Sequence, residues 1–223
     1  MPAVRGVIFD LFDTLVPFSA QQWDALSAEM AGLLAPADPS RFIQEWLGWT
    51  AARMTGDLEA VLRDACAIAV PSAPETAIAL ALQLNAARHE EWLTLPRPDA
   101  RSVLVELRRR GVRTGLISNC SSSVPGSWPA SPLGDLIDVA VFSAAEGVAK
   151  PDPRIYRRTI ERLGLTANEC LYVDDSAGAC AGAAAIGLHA IQYLPPGGRD
   201  GRWTGPAVAS LSEVIALLPD ANP

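Results

Sequence analysis

Small polar and charged residues follow several short apolar runs of this chain, and together they could do chemistry on a phosphate. In chain order they are Asp10, Asp13, Thr14, Ser118, Asn119, Lys150, Asp174, Asp175 and Ser176. Carboxylates that crowd together repel one another unless a cation neutralises them, and hard oxygen ligands select Mg²⁺ over softer metals. A magnesium ion and a lysine beside an aspartate would make a site for a dianionic phosphate, with the lysine and hydroxyls holding the phosphoryl oxygens.

These residues meet only if the apolar runs before them are neighbouring parallel strands. Runs without strict alternation occur at residues 6–11, 114–118, 139–143, 171–174 and 188–193. Such runs are typical of a parallel sheet that is covered on both faces. Helical patterns occur at residues 99–110, 153–163, 178–186 and 211–218. This alternation predicts a doubly wound, Rossmann-like α/β fold, in which ligands bind at the carboxyl ends of the strands.

Residues 17–94 interrupt this alternation, because they show helical patterns and almost no strand signal. The predicted helices span residues 20–34, 40–54, 57–69 and 74–92, and prolines mark the breaks. We therefore predict an inserted four-helix domain at residues 17–94 and an α/β core domain made of residues 1–16 and 95–223. Four of the six tryptophans lie in the insertion, and we interpret most of them as part of its own core.

The composition limits the classes of partner. The net charge of -7 and the sequence pI near 4.8 argue against a nucleic-acid-binding protein. No apolar run is long enough to span a bilayer, and the N-terminus lacks the layout of a signal peptide, so we expect a cytoplasmic protein. The spacing of the four cysteines fits neither a zinc site nor a CxxC motif, which predicts free and mostly buried thiols. We interpret His189, in the apolar pattern LHAIQYL, as a core residue.

The polar clusters stand in the same order as the four motifs of the haloacid dehalogenase-like superfamily, which this chain resembles. VIFDLFDTLV matches an apolar strand that ends in Asp-x-Asp-x-Thr, and GLISN matches a strand that ends in Ser or Thr. GVAKPDPRIY supplies the motif lysine, and LYVDDS supplies the acidic pair. The similarity covers nearly the whole chain, and the helical insertion resembles the family's cap of the helical-bundle type.

The resemblance implies a hydrolase that works through a covalent intermediate and needs Mg²⁺. Asp10 would be the nucleophile and would form an aspartyl intermediate. The metal ligands would be the carboxylates of Asp10 and Asp175 and the backbone carbonyl of Phe12. Asp174 would be a further metal ligand and would also orient the motif lysine.

The resemblance also implies roles for the remaining motif residues. Ser118 and Asn119 would hold the transferred group, with the hydroxyl of Thr14 as a further contact to the substrate. Lys150 would neutralise charge on Asp10 and on the phosphate.

Two residues of the first motif depart from the family's phosphatases. Those enzymes have a second Asp two residues after the nucleophile, which protonates the leaving oxygen and later activates water, whereas this chain has Phe12. A phenyl ring cannot transfer protons, so a contribution of roughly 10²–10⁴-fold is missing or comes from elsewhere. Asp13, where the phosphatases usually have Gly, either replaces the missing acid or caps the turn, and we slightly favour the cap.

The same departure favours a second hypothesis. The family's 2-haloacid dehalogenases have a Tyr at the Phe12 position and another where this chain has Tyr156, but they need no metal and lack the acidic pair. The further acid or Asn that is usual in the fourth motif is also absent, since Ala179 and Cys180 lie there. This absence weakens the support around a metal. A third hypothesis is therefore a binding protein of the same fold with a weakened site.

Phe42, Trp46, Trp49 and Arg53 lie close to helical spacing on one face. One interpretation is an aromatic lid in which Arg53, or Arg41, binds an anionic group of the substrate. The other, which we favour, is a core of the insertion with an exposed arginine. Our leading hypothesis for the whole chain is a magnesium-dependent phosphatase that acts on a small anionic metabolite as a monomer or homodimer.

Overall fold

A six-stranded, all-parallel sheet forms the centre of the computed structural model, which describes residues 4–196 and 203–218. In chain order the strands are β1 (Gly6–Phe9), β2 (Arg113–Ser118), β3 (Val139–Phe142), β4 (Cys170–Asp174), β5 (His189–Tyr193) and β6 (Ala207–Val208). Their order across the sheet is β3-β2-β1-β4-β5-β6. The five predicted strands are confirmed. β6 was not predicted, because two residues are too few to show a periodic pattern.

Eleven α-helices accompany the sheet in the described part of the chain. They are α1 (Ala20–Leu34), α2 (Pro39–Gly48), α3 (Thr50–Thr55), α4 (Leu58–Ala69), α5 (Glu75–Leu93), α6 (Ala100–Arg109), α7 (Ser123–Ser127), α8 (Ser143–Glu146), α9 (Pro153–Leu163), α10 (Ala177–Ala184) and α11 (Ser212–Ala216). The helices predicted after residue 95 are confirmed with small differences at their ends. The doubly wound α/β fold is therefore as predicted.

Strand β1 lies in the middle of the sheet, and this position decides where polar residues gather. Phe9 pairs with Leu116 of β2 on one side and with Val173 of β4 on the other. All four residues of β1 are buried, as expected for a strand between two covered faces. The chain leaves β1 at Asp10, whose backbone N–H donates to the carbonyl of Val173 at 2.9 Å. The residues that follow β1, β2 and β4 are therefore neighbours.

Helices cover both faces of the sheet, and each face has its own apolar cluster. Leu104 of α6 and Val214 of α11 belong to one cluster, and Ile155 of α9 belongs to the other. α6 and α9 stop before Gly111 and Gly164, which have left-handed backbone with φ of 70° and 68°. Glycine adopts this conformation without strain, so both predicted helix stops are confirmed.

Helices α1–α5 form an insertion between β1 and α6, and they pack around a hydrophobic cluster of their own. Trp46 and Trp92 are buried in this cluster, and Trp23 and Trp49 pack against it while partly exposed. This arrangement confirms the interpretation of most tryptophans as part of the insertion's core.

The insertion contains five helices rather than the predicted four. The helix predicted at residues 40–54 is divided, because α2 ends at Gly48 and α3 begins at Thr50. Trp49 between them has φ of -86° and ψ of 16°, outside the helical range. Glycine and a β-branched threonine both have low helix propensity, which accounts for a break that the apolar spacing did not reveal.

Several smaller expectations have mixed outcomes. All four cysteines are free and buried, as predicted. His189 is only half-buried, because it is the first residue of β5 and lies before the residues of β5 that pair with β6. Its Nε2 lies 3.0 Å from the carbonyl oxygen of Asn168. The segment PPGGRDGRWTGP at residues 195–206, whose glycines and prolines predict a loop, lies partly outside the described residues. Within residues 4–196 and 203–218, no helix combines the length and apolar character needed to cross a membrane.

We expect Leu104→Ala to lower the free energy of unfolding by about 2–5 kcal/mol, because the side chain of Leu104, on α6, is fully buried and its truncation leaves a cavity. The matched control is Val105→Ala on the same helix. Val105 is 43% exposed, and surface substitutions change the free energy of unfolding by less than about 0.5 kcal/mol. Urea unfolding followed by circular dichroism measures both values, and equal losses would contradict this packing of α6.

Candidate active site

A buried cluster of ion pairs lies where β1 and β4 end. The Nζ of Lys150 donates to the carboxylate of Asp10, to Oδ2 of Asp174 at 2.7 Å and to the carbonyl of Ile117 at 3.2 Å. All three charged side chains are almost completely buried. Lys150 is also the only lysine in the sequence.

Asn119 and α10 hold the backbone at Lys150 in place. Nδ2 of Asn119 donates to the carbonyl of Lys150 at 3.0 Å, and its Oδ1 accepts from the backbone N–H of Lys150 at 2.8 Å. On another side, a Cβ at Gly182 of α10 would lie 2.8 Å from the carbonyl oxygen of Pro151. Only glycine allows so close an approach of the helix to this segment. The lysine is therefore fixed by the loop after β2 and by α10.

Asp174 uses both carboxylate oxygens within the protein. Oδ2 accepts from Lys150 and from the hydroxyl of Tyr172, and Oδ1 accepts from the backbone N–H of Ser176 at 2.7 Å. These contacts orient the carboxylate toward the lysine and leave it few free lone pairs.

Asp175, the second residue of the acidic pair, is supported by Thr14 and Gln192. Its backbone N–H donates to Oγ1 of Thr14 at 3.1 Å, and that hydroxyl lies 3.5 Å from Oδ1 of Asp175. Nε2 of Gln192 donates to the carbonyl of Asp175 at 2.8 Å. Thr14 is completely buried, and it is not among the described residues that line the cavity at Asp10. The structure thus places Thr14 beside Asp175, and the predicted contact of Thr14 with a substrate stays a prediction.

The crowded charges alter one another's ionisation. Burial, together with the charges of Asp174 and Asp175, raises the pKa of Asp10 well above its usual range in spite of Lys150. Burial and the charges of Asp174 and Asp13 raise the pKa of Asp175 to about 6. Burial alone would lower the pKa of Lys150, but the carboxylates of Asp10 and Asp174 outweigh it and raise this pKa. Three carboxylates therefore share a single ammonium group, and the cluster lacks positive charge.

A divalent cation fits this deficit. One carboxylate oxygen from each of Asp10, Asp174 and Asp175 lies within 4.8 Å of the other two. An all-oxygen set of this kind suits Mg²⁺. Because the oxygens of Asp174 already have partners, Asp10 and Asp175 are the carboxylates better able to hold a metal, and Phe12 lies at the same cavity.

A cavity of about 240 Å³ brings most of the predicted residues together. Its lining includes seven of them: Asp10, Phe12, Asn119, Lys150, Asp174, Asp175 and Ser176. Ser118 is buried at the end of β2, and its Oγ has no hydrogen-bond partner among the described residues. An unpaired buried hydroxyl is costly, but Ser118 is not among the described residues that line this cavity, so its contact with a bound group stays a prediction.

Asp13 lies in the turn after β1 and outside the lining of that cavity. Its φ of 65° is left-handed, a conformation that Asp tolerates and Gly adopts readily. This backbone explains why a glycine suits the position in the family's phosphatases. The backbone N–H of Asp13 donates to the carbonyl of Val16 at 2.8 Å, and the guanidinium of Arg97 donates to the carbonyl of Asp13 at 2.8 Å. The geometry favours Asp13 as a turn residue.

Phe12 forms a wall between the Asp10 cavity and the insertion. Its ring centroid lies 5.3 Å from that of Phe18 and 6.1 Å from that of His89 on α5. Burial lowers the pKa of His89, whose Nδ1 lies 2.8 Å from the carbonyl oxygen of Asn85. The sequence did not single out Phe18 or His89, because they approach Phe12 only through the packing of the insertion.

Arg53 is 3% exposed, so the interpretation of an exposed arginine is wrong. The other half of that interpretation is confirmed, since Phe42 and Trp46 are buried in the insertion's cluster. The break at Trp49 is the physical reason, because α3 starts anew and Arg53 turns back to donate to the carbonyl of Trp46. Arg41, the alternative anion-binding residue, is exposed.

We expect Lys150→Met to destabilise the protein by about 3–5 kcal/mol at pH 8, because two buried carboxylates lose their partner. The loss should be smaller at pH 5. A carboxyl group whose pKa is raised on folding binds a proton more readily in the folded state, so its contribution to stability falls as pH rises. Urea unfolding at both pH values measures the effect.

The control for this variant is Arg113→Met, which removes a partly exposed pair with Asp138. We expect a loss below about 1 kcal/mol at either pH. A loss in Lys150→Met that does not depend on pH would contradict the buried-carboxylate account.

Comparison with known proteins identifies a family model and several related hydrolases. A family model described as haloacid dehalogenase-like hydrolase matches residues 4–187. Over 128 residues the chain is 40% identical to phosphatase MT3486 of Mycobacterium tuberculosis, covering 56% of this chain and 57% of that protein. Over 125 residues it is 30% identical to (S)-2-haloacid dehalogenase 4A of Burkholderia cepacia, covering 54% of each. The matches thus span little more than half the length of these relatives.

A solved structure supports the fold. The 2-haloacid dehalogenase from Pseudomonas syringae pv. Tomato superposes with a TM-score of 0.75 over 96% of this chain and 97% of that one, at 22% identity. An identity this low is informative about the fold alone. Because the family model spans most of the chain and its four motifs meet at one edge of the sheet, the protein belongs to the haloacid dehalogenase-like hydrolases.

Proposed function

We propose that this hydrolase removes phosphate from a small phosphorylated substrate, with Asp10 as the nucleophile and Mg²⁺ as the cofactor. The observation that supports this most is the cluster of Asp10, Asp174 and Asp175 around a single lysine. Three carboxylates with one ammonium group attract a divalent cation, and the cation in turn allows a dianionic phosphate to approach. The similarity to phosphatase MT3486 agrees with this proposal.

The proposed chemistry begins when a carboxylate oxygen of Asp10 attacks the phosphorus atom. A new O–P bond forms as the bond from phosphorus to the leaving oxygen breaks, and the leaving oxygen takes its proton from water because Phe12 cannot donate one. Lys150, which contacts Asp10, offsets negative charge on the nucleophile and on the phosphoryl oxygens. The unpaired hydroxyl of Ser118 and the remaining amide N–H of Asn119 donate to those oxygens. Water then cleaves the aspartyl phosphate, which restores Asp10 and releases inorganic phosphate.

Asp10, Asp175 and the backbone carbonyl of Phe12 would hold Mg²⁺, which supplies positive charge beside the phosphate when bound. Asp174, whose oxygens are already engaged, would orient Lys150 and contribute to the metal site only through its charge. This assignment changes the expected role of Asp174 from ligand to positioning residue.

The insertion at residues 17–94 would act as a cap over the core domain of residues 1–16 and 95–223. Phe18, just before α1, and His89 of α5 both pack near Phe12, so the insertion forms one side of the space beyond Asp10. A cap in this place excludes water during the reaction and shapes the space for the leaving group.

Hydrolysis of a 2-haloacid is a second candidate function, and Phe12 is the observation that favours it. In that reaction Asp10 attacks carbon and displaces halide, so no leaving oxygen needs a proton. The similarity to (S)-2-haloacid dehalogenase 4A agrees with this alternative. It offers no explanation for the carboxylate of Asp175, because a reaction without a metal gains nothing from a third negative charge.

We expect the protein to hydrolyse 4-nitrophenyl phosphate, to lose this activity in EDTA and to regain it with Mg²⁺. Asp10→Asn should lower kcat by about 10³-fold or more, because an amide is a poor nucleophile. Release of inorganic phosphate measures both effects. Asp138→Asn is the matched control, since Asp138 contacts Arg113 and Thr114 at the opposite end of β2. Full activity in Asp10→Asn would refute the mechanism.

The same protein distinguishes the alternatives. Chloride release from 2-chloropropionate that persists in EDTA, with no release of phosphate from 4-nitrophenyl phosphate, would establish dehalogenation instead. A folded protein that turns over neither compound would support the binding-protein hypothesis.

Asp13→Asn should leave the maximal kcat nearly unchanged, because Asn also tolerates left-handed backbone and the side chain lies outside the cavity lining. Steady-state kinetics on 4-nitrophenyl phosphate between pH 5 and pH 9 test this expectation. A fall in kcat of about 10²-fold or more, with loss of one limb of the profile, would show instead that Asp13 is the general acid.

A further inference from the structure

A second cavity, of about 460 Å³, adjoins the Asp10 cavity. Phe12 and Asn119 line both cavities. A group attached to a phosphate at Asp10 would therefore enter the second cavity past these two side chains. The phosphate chemistry itself makes no use of this space, and its size is suited to a leaving group with several carbon atoms.

The walls of this second cavity are largely apolar. Phe12, Phe18, Trp23, Leu47 and Met54 all contribute to them. The rings of Phe18 and Trp23 meet edge to face, with centroids 6.4 Å apart. Walls of this kind favour a ligand whose body is apolar, because binding removes its surface from water.

One charged side chain lines the same cavity. Arg53 is held with its guanidinium carbon 4.7 Å from the ring centroid of Trp23 and 4.3 Å from that of Trp46. It donates through Nη1 to the carbonyl of Trp46 and through Nη2 to Oγ1 of Thr50 at 2.8 Å. These bonds use two of its five N–H donors, so the group is fixed in orientation and still has donors to offer.

Arg53 has no carboxylate partner within residues 4–196 and 203–218, whereas Arg63 and Arg88 at the surface pair with glutamates. Burial lowers the pKa of Arg53 to about 10, which leaves it charged at neutral pH. A buried charge without a counter-ion is costly. An anionic group on a ligand would supply the missing counter-ion.

We propose that this cavity binds the leaving group of the substrate, and that this leaving group has an apolar body ending in a carboxylate that pairs with Arg53. The inference rests on the proposed phosphatase function. A carboxylate is preferred to a second phosphate, because a monoanion loses less hydration than a dianion when it enters an apolar cavity. A planar carboxylate also matches the planar donors of a guanidinium.

The test compares matched aryl phosphates on the wild-type protein with Mg²⁺. The carboxylates are 4-carboxyphenyl phosphate and 4-(2-carboxyethyl)phenyl phosphate, which differ in reach, and each has its carboxamide as the neutral counterpart. We expect kcat/KM to be at least about tenfold higher for a carboxylate than for its carboxamide, the effect of one charge-assisted pair. This comparison needs no variant, so it stands even where a variant fails to fold.

Variants then assign the preference to Arg53. Arg53→Gln should reduce the carboxylate-to-carboxamide ratio to about one with little change for the carboxamide, and Arg53→Lys should retain part of the ratio. Arg88→Gln is the control, since Arg88 pairs with Glu29 and Glu91 at the surface. A purely structural Arg53 would lower activity on both members of each pair equally, which would overturn the proposal.

Failure of the inference and failure of the proposed function give different results. Hydrolysis of all four esters without a carboxylate preference overturns the inference and leaves the phosphatase function intact. If no ester is hydrolysed, the proposed phosphatase function is wrong. Binding of 3-phenylpropionate and 3-phenylpropionamide then tests whether Arg53 binds a carboxylate in the second cavity. Quenching of tryptophan fluorescence by the acid alone, lost in Arg53→Gln, supports that site, and equal binding of both compounds overturns it.

Discussion

The ammonium group of Lys150 lies buried between the carboxylates of Asp10 and Asp174, and most of the site is arranged to make this possible. A buried charge persists only with partners in good geometry, so the lysine, from the loop before α9, must meet the ends of both β1 and β4. Asn119 and Gly182 fix its backbone from two sides. The position of Asp10 thus depends on a tertiary ion pair and on the central place of β1 in the sheet.

The excess of negative charge in this cluster distinguishes the two proposed reactions, hydrolysis of a phosphate ester and hydrolysis of a 2-haloacid. Asp10 and Asp174 together exceed the charge of Lys150 by one, and Asp175 adds a further carboxylate that Thr14 and Gln192 hold in place. A cation and an anionic substrate complete such a cluster. Phe12 does not fit the proposed phosphatase reaction, because it places an apolar ring where the family's phosphatases have a proton-donating Asp.

This ring connects the reaction centre to the insertion. Phe12 faces Phe18 and His89, and the space beyond it contains Arg53 without an acidic partner in the described residues. The α/β core therefore supplies the buried charged cluster, whereas the insertion lines the second cavity with mostly apolar side chains and Arg53.

The sequence alone was sufficient to predict the parallel sheet and the meeting of Asp10, Lys150 and Asp175, because residues at the carboxyl ends of neighbouring strands must converge once the strands are parallel. It could not decide side-chain direction where no periodicity applies. Asp13 lies outside the lining of the Asp10 cavity, in a turn where its backbone is left-handed. Arg53 is buried because a helix breaks at Trp49, which apolar spacing does not show. Only tertiary packing determines such positions, since they depend on contacts between segments far apart in the chain.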